Sequence, residues 1–223
     1  MSFLQDEISE ILTSLKNSLS YLNKKIGIGD FPIPNFFVLK VYLILKYFKY
    51  PFSKIKNYVL AATMLEIGFS IHDSFANSLE LLYGDYISSF FSSFLRSEDF
   101  HLSYNLNTAS LKITELKIFL NHKVFSLTQR LPLQIKLCCQ IPFSFLNLPK
   151  IPLEEKFKWK VLIFRISKIE VFCLQKISLP KDFFAKTINY AGFLKSEGIY
   201  DIFVEALLNE FKLAKEELYV LPE

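Results

Sequence analysis

The chain has 223 residues, of which 51% are hydrophobic, and it contains 24 Phe and 11 Tyr. This composition excludes a disordered protein and is ample for a sizeable core. Six glycines argue against a turn-rich β-sandwich or barrel, and no glycine-rich phosphate loop is present. The net charge of +4 comes from scattered lysines and three arginines. We therefore expect no nucleic-acid partner and at most peripheral contact with an anionic membrane.

The cysteines indicate a reducing compartment. Cys138, Cys139 and Cys173 are odd in number, and two of them are adjacent, which is typical of free thiols in a cytoplasmic protein. The charged stretch from residue 2 to residue 25 lacks a signal-peptide core. No segment reaches the ~20 apolar residues of a membrane span. We predict a cytoplasmic protein without a targeting segment.

The predicted secondary structure is helical throughout. Apolar residues recur at helical spacing in eight segments: residues 3–24, 35–50, 53–73, 86–96, 108–125, 153–175, 181–193 and 199–218. Residues 27–34 and 97–107 are predicted loops, and four prolines are expected to break residues 131–151 into short turns. The third helix is apolar on nearly every side from Tyr58 to Ile71, which indicates a central, buried helix. We predict one all-α domain over residues 1–223, a bundle of about eight helices around this buried helix.

A polar cluster follows the buried helix. Its sequence is Ile71-His72-Asp73-Ser74-Phe75-Ala76-Asn77, and Leu82-Tyr83-Gly84-Asp85-Tyr86 comes shortly after it. This stretch resembles the first Asp-rich motif of trans-prenyltransferases, in which a helix ends in His-Asp-Asp-x-x-Asp and a Gly-Asp pair opens the next helix. His72 and Asp73 match the start of that motif, whereas Ser74 and Asn77 replace two of its carboxylates.

The segment from Gly84 to Ser89 is similar to the small, non-catalytic subunit of heterodimeric synthases, heptaprenyl or hexaprenyl diphosphate synthase component 1. The resemblance covers about 35 residues and implies a helical bundle of the isoprenoid synthase fold. It also implies a catalytic large subunit as partner, in a heterodimer or heterotetramer. The expected role is to support chain elongation for the menaquinone side chain. No cofactor is expected on this chain, and Mg²⁺ is expected in the catalytic partner.

The departures from the family pattern agree with a subunit that is not catalytic alone. Ser74 and Asn77 are neutral, so the site lacks the charge that several Mg²⁺ ions require. Only eleven residues separate Asp73 from Asp85, too few for the family's loop with an arginine pair. The basic substrate motif is absent, and so is a second Asp-rich motif. Asp201 with Glu205 is the nearest substitute, which we interpret as surface charge.

The residues therefore receive structural roles, and no catalytic or metal-binding residue is assigned. His72, Asp73, Ser74 and Asn77 form a degenerate motif, and Gly84, Asp85 and Tyr86 form a structural one. Phe90, Phe91 and Phe94 are candidates for lining a prenyl-chain tunnel or a subunit interface.

Several of these residues also have a purely structural interpretation. His72 and Asp73 are equally consistent with a polar helix end, and Asp85 with a helix N-cap. Glu66 is expected to pair with a buried lysine, and His101 and His122 are expected on the surface.

Two functions of different classes remain open. The first is the non-catalytic subunit of a heteromeric polyprenyl diphosphate synthase, with the prenyl chain as a possible ligand. The second is an all-α lipid-binding or scaffold protein without an enzyme partner. A self-sufficient isoprenoid synthase is disfavoured by the missing carboxylates.

Overall fold

The computed structural model describes residues 3–26, 33–74, 78–148, 151–180 and 182–219. Across these ranges the chain is almost entirely helical and has no strand, which confirms the predicted all-α fold. The α-helices are α1 (Phe3–Ile26), α2 (Asn35–Tyr47), α3 (Phe52–Ser74), α4 (Ser78–Ser89), α5 (Phe100–His122), α6 (Leu127–Phe145), α7 (Leu153–Leu174), α8 (Phe183–Tyr190) and α9 (Tyr200–Tyr219). Short 3₁₀ helices span Phe90–Phe94, Ser97–Asp99 and Ala191–Glu197. Most of the loop predicted for residues 27–34 lies outside the described residues.

The helices form two compact units, residues 1–103 and residues 104–223, and the division falls inside α5. A compact unit is defined by its internal contacts and not by independent folding, so the single domain stays a prediction. The likeness to the isoprenoid synthase fold also stays a prediction.

Helices α2 and α3 supply most of the core of the first unit. In α3 every residue from Tyr58 to Leu65 is buried, and α1, α2 and α4 pack around it, which confirms the central, buried helix. In α2 every residue from Phe37 to Leu45 is buried. Helices that are apolar on all sides need neighbours on all sides, which the three surrounding helices and the 3₁₀ helix Phe90–Phe94 provide for α3. None of the described helices combines the length and apolarity needed to cross a membrane.

A buried carboxylate ties α1 to α2. Glu7 accepts a 2.7 Å hydrogen bond from the hydroxyl of Tyr42 and bonds of 2.8 and 2.9 Å from the ammonium of Lys46. Glu7 is buried and Tyr42 is completely enclosed. Burial, with the hydrogen bond to Glu7, raises the pKa of Tyr42 far above its usual value, so the hydroxyl stays protonated and remains a donor.

The start of α5 differs from the prediction. The loop predicted for residues 97–107 is wrong, because a 3₁₀ turn leads directly into α5 at Phe100. The polar composition of this segment suggested a loop, but its serines, asparagines and histidine lie on the exposed or half-buried side of the helix. Leu102 and Leu106 lie on the buried side. The exposed His101 and His122 agree with their predicted surface positions.

Asp99 fixes this helix start. One carboxylate oxygen accepts a 2.9 Å hydrogen bond from the backbone N–H of Arg96, and the other accepts a 2.5 Å bond from the hydroxyl of Tyr58. The ammonium of Lys54 lies 3.6 Å away. Burial of the carboxyl acts to raise its pKa, but these donors prevail and hold the pKa of Asp99 below its usual value. The carboxylate therefore stays charged and anchors the start of α5 to α3.

Proline does not break α6, contrary to the prediction for residues 131–151. The helix runs through Pro132 and Pro142. Pro142 has no N–H to donate to the carbonyl of Cys138, one turn earlier. The hydroxyl of Ser167 on α7 donates to that carbonyl at 3.4 Å instead. A tertiary contact thus replaces the missing helical hydrogen bond. Because α6 was not among the eight predicted helices, the described chain has nine α-helices.

The core of the second unit centres on α7. Trp159 is fully buried and packs edge-to-face on Phe193, with ring centroids 5.6 Å apart. Gly198 adopts a φ of 69°, the left-handed conformation that lets the 3₁₀ helix Ala191–Glu197 end and α9 begin. Asp201 and Glu205 are exposed on α9, in agreement with their interpretation as surface charge.

The Glu7 contact predicts an unequal response of two similar ion pairs on α1. Glu7→Ala leaves the hydroxyl of Tyr42 buried without its acceptor, so the free energy of unfolding should fall by about 2–4 kcal/mol. Glu10 makes a 2.8 Å pair with Lys56 but is half exposed, so Glu10→Ala should cost under about 1 kcal/mol. Chemical denaturation of both variants measures the difference, and equal losses would contradict a buried anchor.

Candidate functional site

The degenerate motif lies at the end of α3. His72 occupies the last turn of that helix, and Asp73 and Ser74 end it. The side chains of Asp73 and Ser74, and the whole of Asn77, lie outside the described residues. The described part of the motif is His72, together with the residues of α4 opposite it.

Two glycines bring α3 and α4 unusually close together. A Cβ placed on Gly68 would lie 2.8 Å from the carbonyl oxygen of Gly84 and 2.6 Å from the Cβ of Ser88. A Cβ placed on Gly84 would lie 2.9 Å from the carbonyl oxygen of Gly68. Such distances are shorter than side chains permit, so each glycine leaves room for the other helix's backbone. We call this Gly68–Gly84–Ser88 arrangement the glycine contact.

His72 is seated on Gly84, one turn along α3 from the glycine contact. A Cβ on Gly84 would lie 2.0 Å from Cδ2 and 2.3 Å from Nε2 of the imidazole. The Nε2 atom lies 3.2 Å from a carboxylate oxygen of Asp85 without forming a hydrogen bond. Asp85 is 70% exposed, so water screens this pair and it contributes little to stability. Packing on Gly84, more than the contact with Asp85, holds the ring.

The structure corrects the predicted role of Gly84 and Asp85 at a helix start. They do not open a helix, because α4 begins at Ser78 and contains both residues in its interior. Asp85 is therefore not an N-cap. The glycine stands inside the helix despite its low helix propensity because the glycine contact allows nothing larger there.

No metal centre is formed by the described side chains: no three His, Cys, Asp or Glu residues among them come together. A Mg²⁺ ion is usually bound through one or two carboxylates with substrate phosphates and water. The described face of the motif offers the exposed carboxylate of Asp85 beside an imidazole. The expected lack of a cofactor on this chain stays a prediction.

The aromatic residues after Asp85 lead to a cavity. Tyr86 packs edge-on against Phe90 at a centroid distance of 5.1 Å. Phe90 and Phe94 then line a cavity of about 410 Å³ between α1 and the 3₁₀ helix Phe90–Phe94, and Phe91 does not. Among the described residues the lining is Asn17, Ser18, Tyr21, Leu22, Phe90, Ser93 and Phe94. A volume of this size falls within the range of small-molecule sites, roughly 300–1,000 Å³.

Comparison with protein-family models, curated proteins and solved structures gave no match for this chain.

Several residues of these sites were missed by sequence reasoning. Gly68 forms the glycine contact with Gly84, and an isolated glycine inside a strongly helical pattern was the available signal. Tyr21 and Leu22 face the cavity from α1, about 70 residues before Phe90 in the chain. Helical periodicity predicts which residues share a face, but it does not show which distant helix that face meets.

The glycine contact predicts opposite effects for two glycine-to-alanine changes. Gly68→Ala forces a methyl group against backbone atoms of α4, so unfolding free energy should fall by about 1–3 kcal/mol. Gly192 has open space around its Cβ position, so Gly192→Ala should be neutral or stabilising by up to about 1 kcal/mol. Urea denaturation followed by circular dichroism measures both variants. A neutral Gly68→Ala would show that α3 and α4 do not meet this closely.

Proposed function

We propose that this chain is a non-catalytic subunit of a heteromeric medium- or long-chain polyprenyl diphosphate synthase. Its partner is a catalytic large subunit that holds Mg²⁺ through intact Asp-rich motifs, in a cytoplasmic heterodimer or heterotetramer. The pair extends an allylic diphosphate with isopentenyl diphosphate and supplies the side chain of menaquinone.

The observation that carries this proposal is the seat of His72 on Gly84. The residues that resemble the prenyltransferase motif come from separate segments, and His72, Gly84 and Asp85 meet across α3 and α4. Their meeting is a packing contact, with the exposed carboxylate of Asp85 3.2 Å from the imidazole. Ser74 and Asn77 cannot supply the negative charge of the family's metal ligands. A motif that keeps its packing residues and loses its charged ones supports an architectural subunit over an active enzyme.

The exposed face of α5 supports the proposal that this chain binds a protein partner. Its inner face is buried, and in the second unit its opposite face carries an apolar row in which every residue is more than half exposed: Tyr104, Leu111 and Ile118. Spacings of seven residues place this row along one side of the helix for about 21 Å. A helix that is apolar on two opposite faces normally packs against neighbours on both. Large exposed apolar rows of this kind mark interaction surfaces.

The alternative function, an all-α lipid-binding or scaffold protein, is favoured by the cavity beside Phe90 and Phe94. A cavity of about 410 Å³ with aromatic walls accepts part of an apolar ligand without any catalytic partner. The two functions differ in whether a second protein is required for activity.

Co-expression with a candidate large subunit tests the main proposal. With Mg²⁺, allylic diphosphate and isopentenyl diphosphate, we expect long-chain product from the copurified pair and none from either chain alone. The double substitution Leu111→Gln and Ile118→Gln should lower the amount of copurified partner about tenfold. The control Lys112→Gln, at a neighbouring exposed position, should leave that amount unchanged. Synthase activity of this chain alone would overturn the proposal.

A further inference from the structure

Helix α7 carries an exposed apolar row on the side opposite its buried face. The buried face includes Trp159 and Ile166. On the opposite side Leu153, Phe157 and Phe164 are 84%, 69% and 48% exposed. Spacings of four and seven residues place these three side chains, which we call the α7 row, along one face of the helix for about 17 Å. Exposed apolar rows of this kind mark interaction surfaces.

Lysines stand directly beside the α7 row. Lys160 is three residues after Phe157 and four before Phe164, and Lys168 is four residues after Phe164. Residues three or four apart are neighbours on a helix surface, so both lysines border the row. Lys160 is exposed, and Lys168 is half-buried with its ammonium 4.6 Å from the ring centroid of Phe183. The exposed side of α7 thus combines aromatic rings with positive charge.

The carboxylates of α7 are engaged elsewhere. Glu154 and Glu155 both pair with the ammonium of Lys158, at 3.1 and 3.0 Å. Glu170, the third acidic residue of this helix, is buried. The lysines beside the α7 row are therefore left to attract an anion from outside the protein.

The charge of the chain is unevenly distributed as well. Residues 104–198, which include α7, contain 15 Lys and Arg against six Asp and Glu, whereas residues 1–103 contain nine against ten. A positive region of this extent favours an anionic partner. Lysine is depleted in protein–protein interfaces. Lysines beside exposed Phe and Leu are instead typical of helices that lie on an anionic lipid surface.

We propose that the α7 row docks this protein on an anionic lipid surface. Phe157 and Phe164 lie at the boundary between headgroups and acyl chains, and the ammonium groups of Lys160 and Lys168 contact the lipid phosphates. Because α7 is already packed in the second unit, binding costs no folding of the helix. The inference does not depend on the synthase assignment, since every residue in it belongs to this chain.

The exposed row on α5 differs from the α7 row in its neighbours. No lysine lies three or four residues from Tyr104, Leu111 or Ile118. The row on α5 therefore fits a protein partner, and the α7 row fits a lipid surface. This difference supplies a matched control for each experiment.

Flotation of the purified full chain with lipid vesicles tests the proposal. Vesicles of equal parts phosphatidylglycerol and phosphatidylcholine should bind the protein at least about tenfold more strongly than phosphatidylcholine alone, because each lysine near an anionic surface strengthens binding roughly fivefold. Added salt should weaken this binding, since it screens exposed charges. No binding to the anionic vesicles, or equal binding to both kinds, would overturn the proposal.

Substitution of the rings locates the surface. Phe157→Ser with Phe164→Ser should lower binding to the anionic vesicles at least about tenfold, because two apolar side chains no longer enter the lipid. The control Leu111→Ser with Ile118→Ser removes two exposed side chains from α5 and should leave vesicle binding unchanged.

Substitution of the lysines tests the charge contribution. Lys160→Gln with Lys168→Gln should lower binding to the anionic vesicles at least about tenfold. The control Lys112→Gln with Lys136→Gln removes two exposed lysines of the same unit away from the α7 row, and it should lower binding less than about twofold.

Two results would contradict the proposal at the level of the variants. One is normal vesicle binding by both α7 double variants when they retain their helical circular dichroism. The other is normal vesicle binding together with lost copurification of the large subunit, which would make the α7 row a protein interface. The flotation assay uses the chain without a partner, so its failure is separate from failure of the co-expression test.

Discussion

The close approach of α3 and α4 is the constraint on which the first unit depends. Gly68 and Gly84 each present bare backbone to the other helix, and a methyl group on either would press against the opposite carbonyl oxygen. Each glycine is less favourable than alanine inside a helix by about 1 kcal/mol, so the contact between the helices must offset that cost. The distance between two packed helices depends on the size of the side chains between them. Here both helices have glycine at the contact, so their backbones approach closely.

Both candidate sites follow from this contact. Because Gly84 has no side chain, the imidazole of His72 can lie across α4, and Asp85 comes within 3.2 Å of it. The same helix continues through Tyr86 into the 3₁₀ helix Phe90–Phe94 and brings Phe90 to the cavity. Gly84, one of the three residues of the predicted Gly84-Asp85-Tyr86 motif, thus positions two helices. The resemblance of that motif to prenyltransferase subunits stays a prediction.

The sequence predicted the helical fold because its strongest signals are local. The largely apolar stretch from Tyr58 to Ile71 predicted a buried helix, and every residue of α3 from Tyr58 to Leu65 is buried. The errors arose where a distant contact overrides a local rule. Pro142 is tolerated because Ser167 of α7 bonds the orphaned carbonyl, and Gly84 lies inside α4 because Gly68 faces it. Phe90 and Phe94 were singled out in advance and line the cavity, but their partners on α1 carried no sequence signal. Their role in holding a prenyl chain stays a prediction.

The central claim is that His72 and Gly84 are packing partners. A double-mutant cycle with Gly84→Ala and His72→Ala measures it most directly, by the free energy of unfolding of each variant and of the double variant. We expect Gly84→Ala alone to be destabilising and His72→Ala to relieve part of that loss, with a coupling energy of at least about 1 kcal/mol. Strictly additive losses would contradict the account, because they would mean that the imidazole does not occupy the space above Gly84.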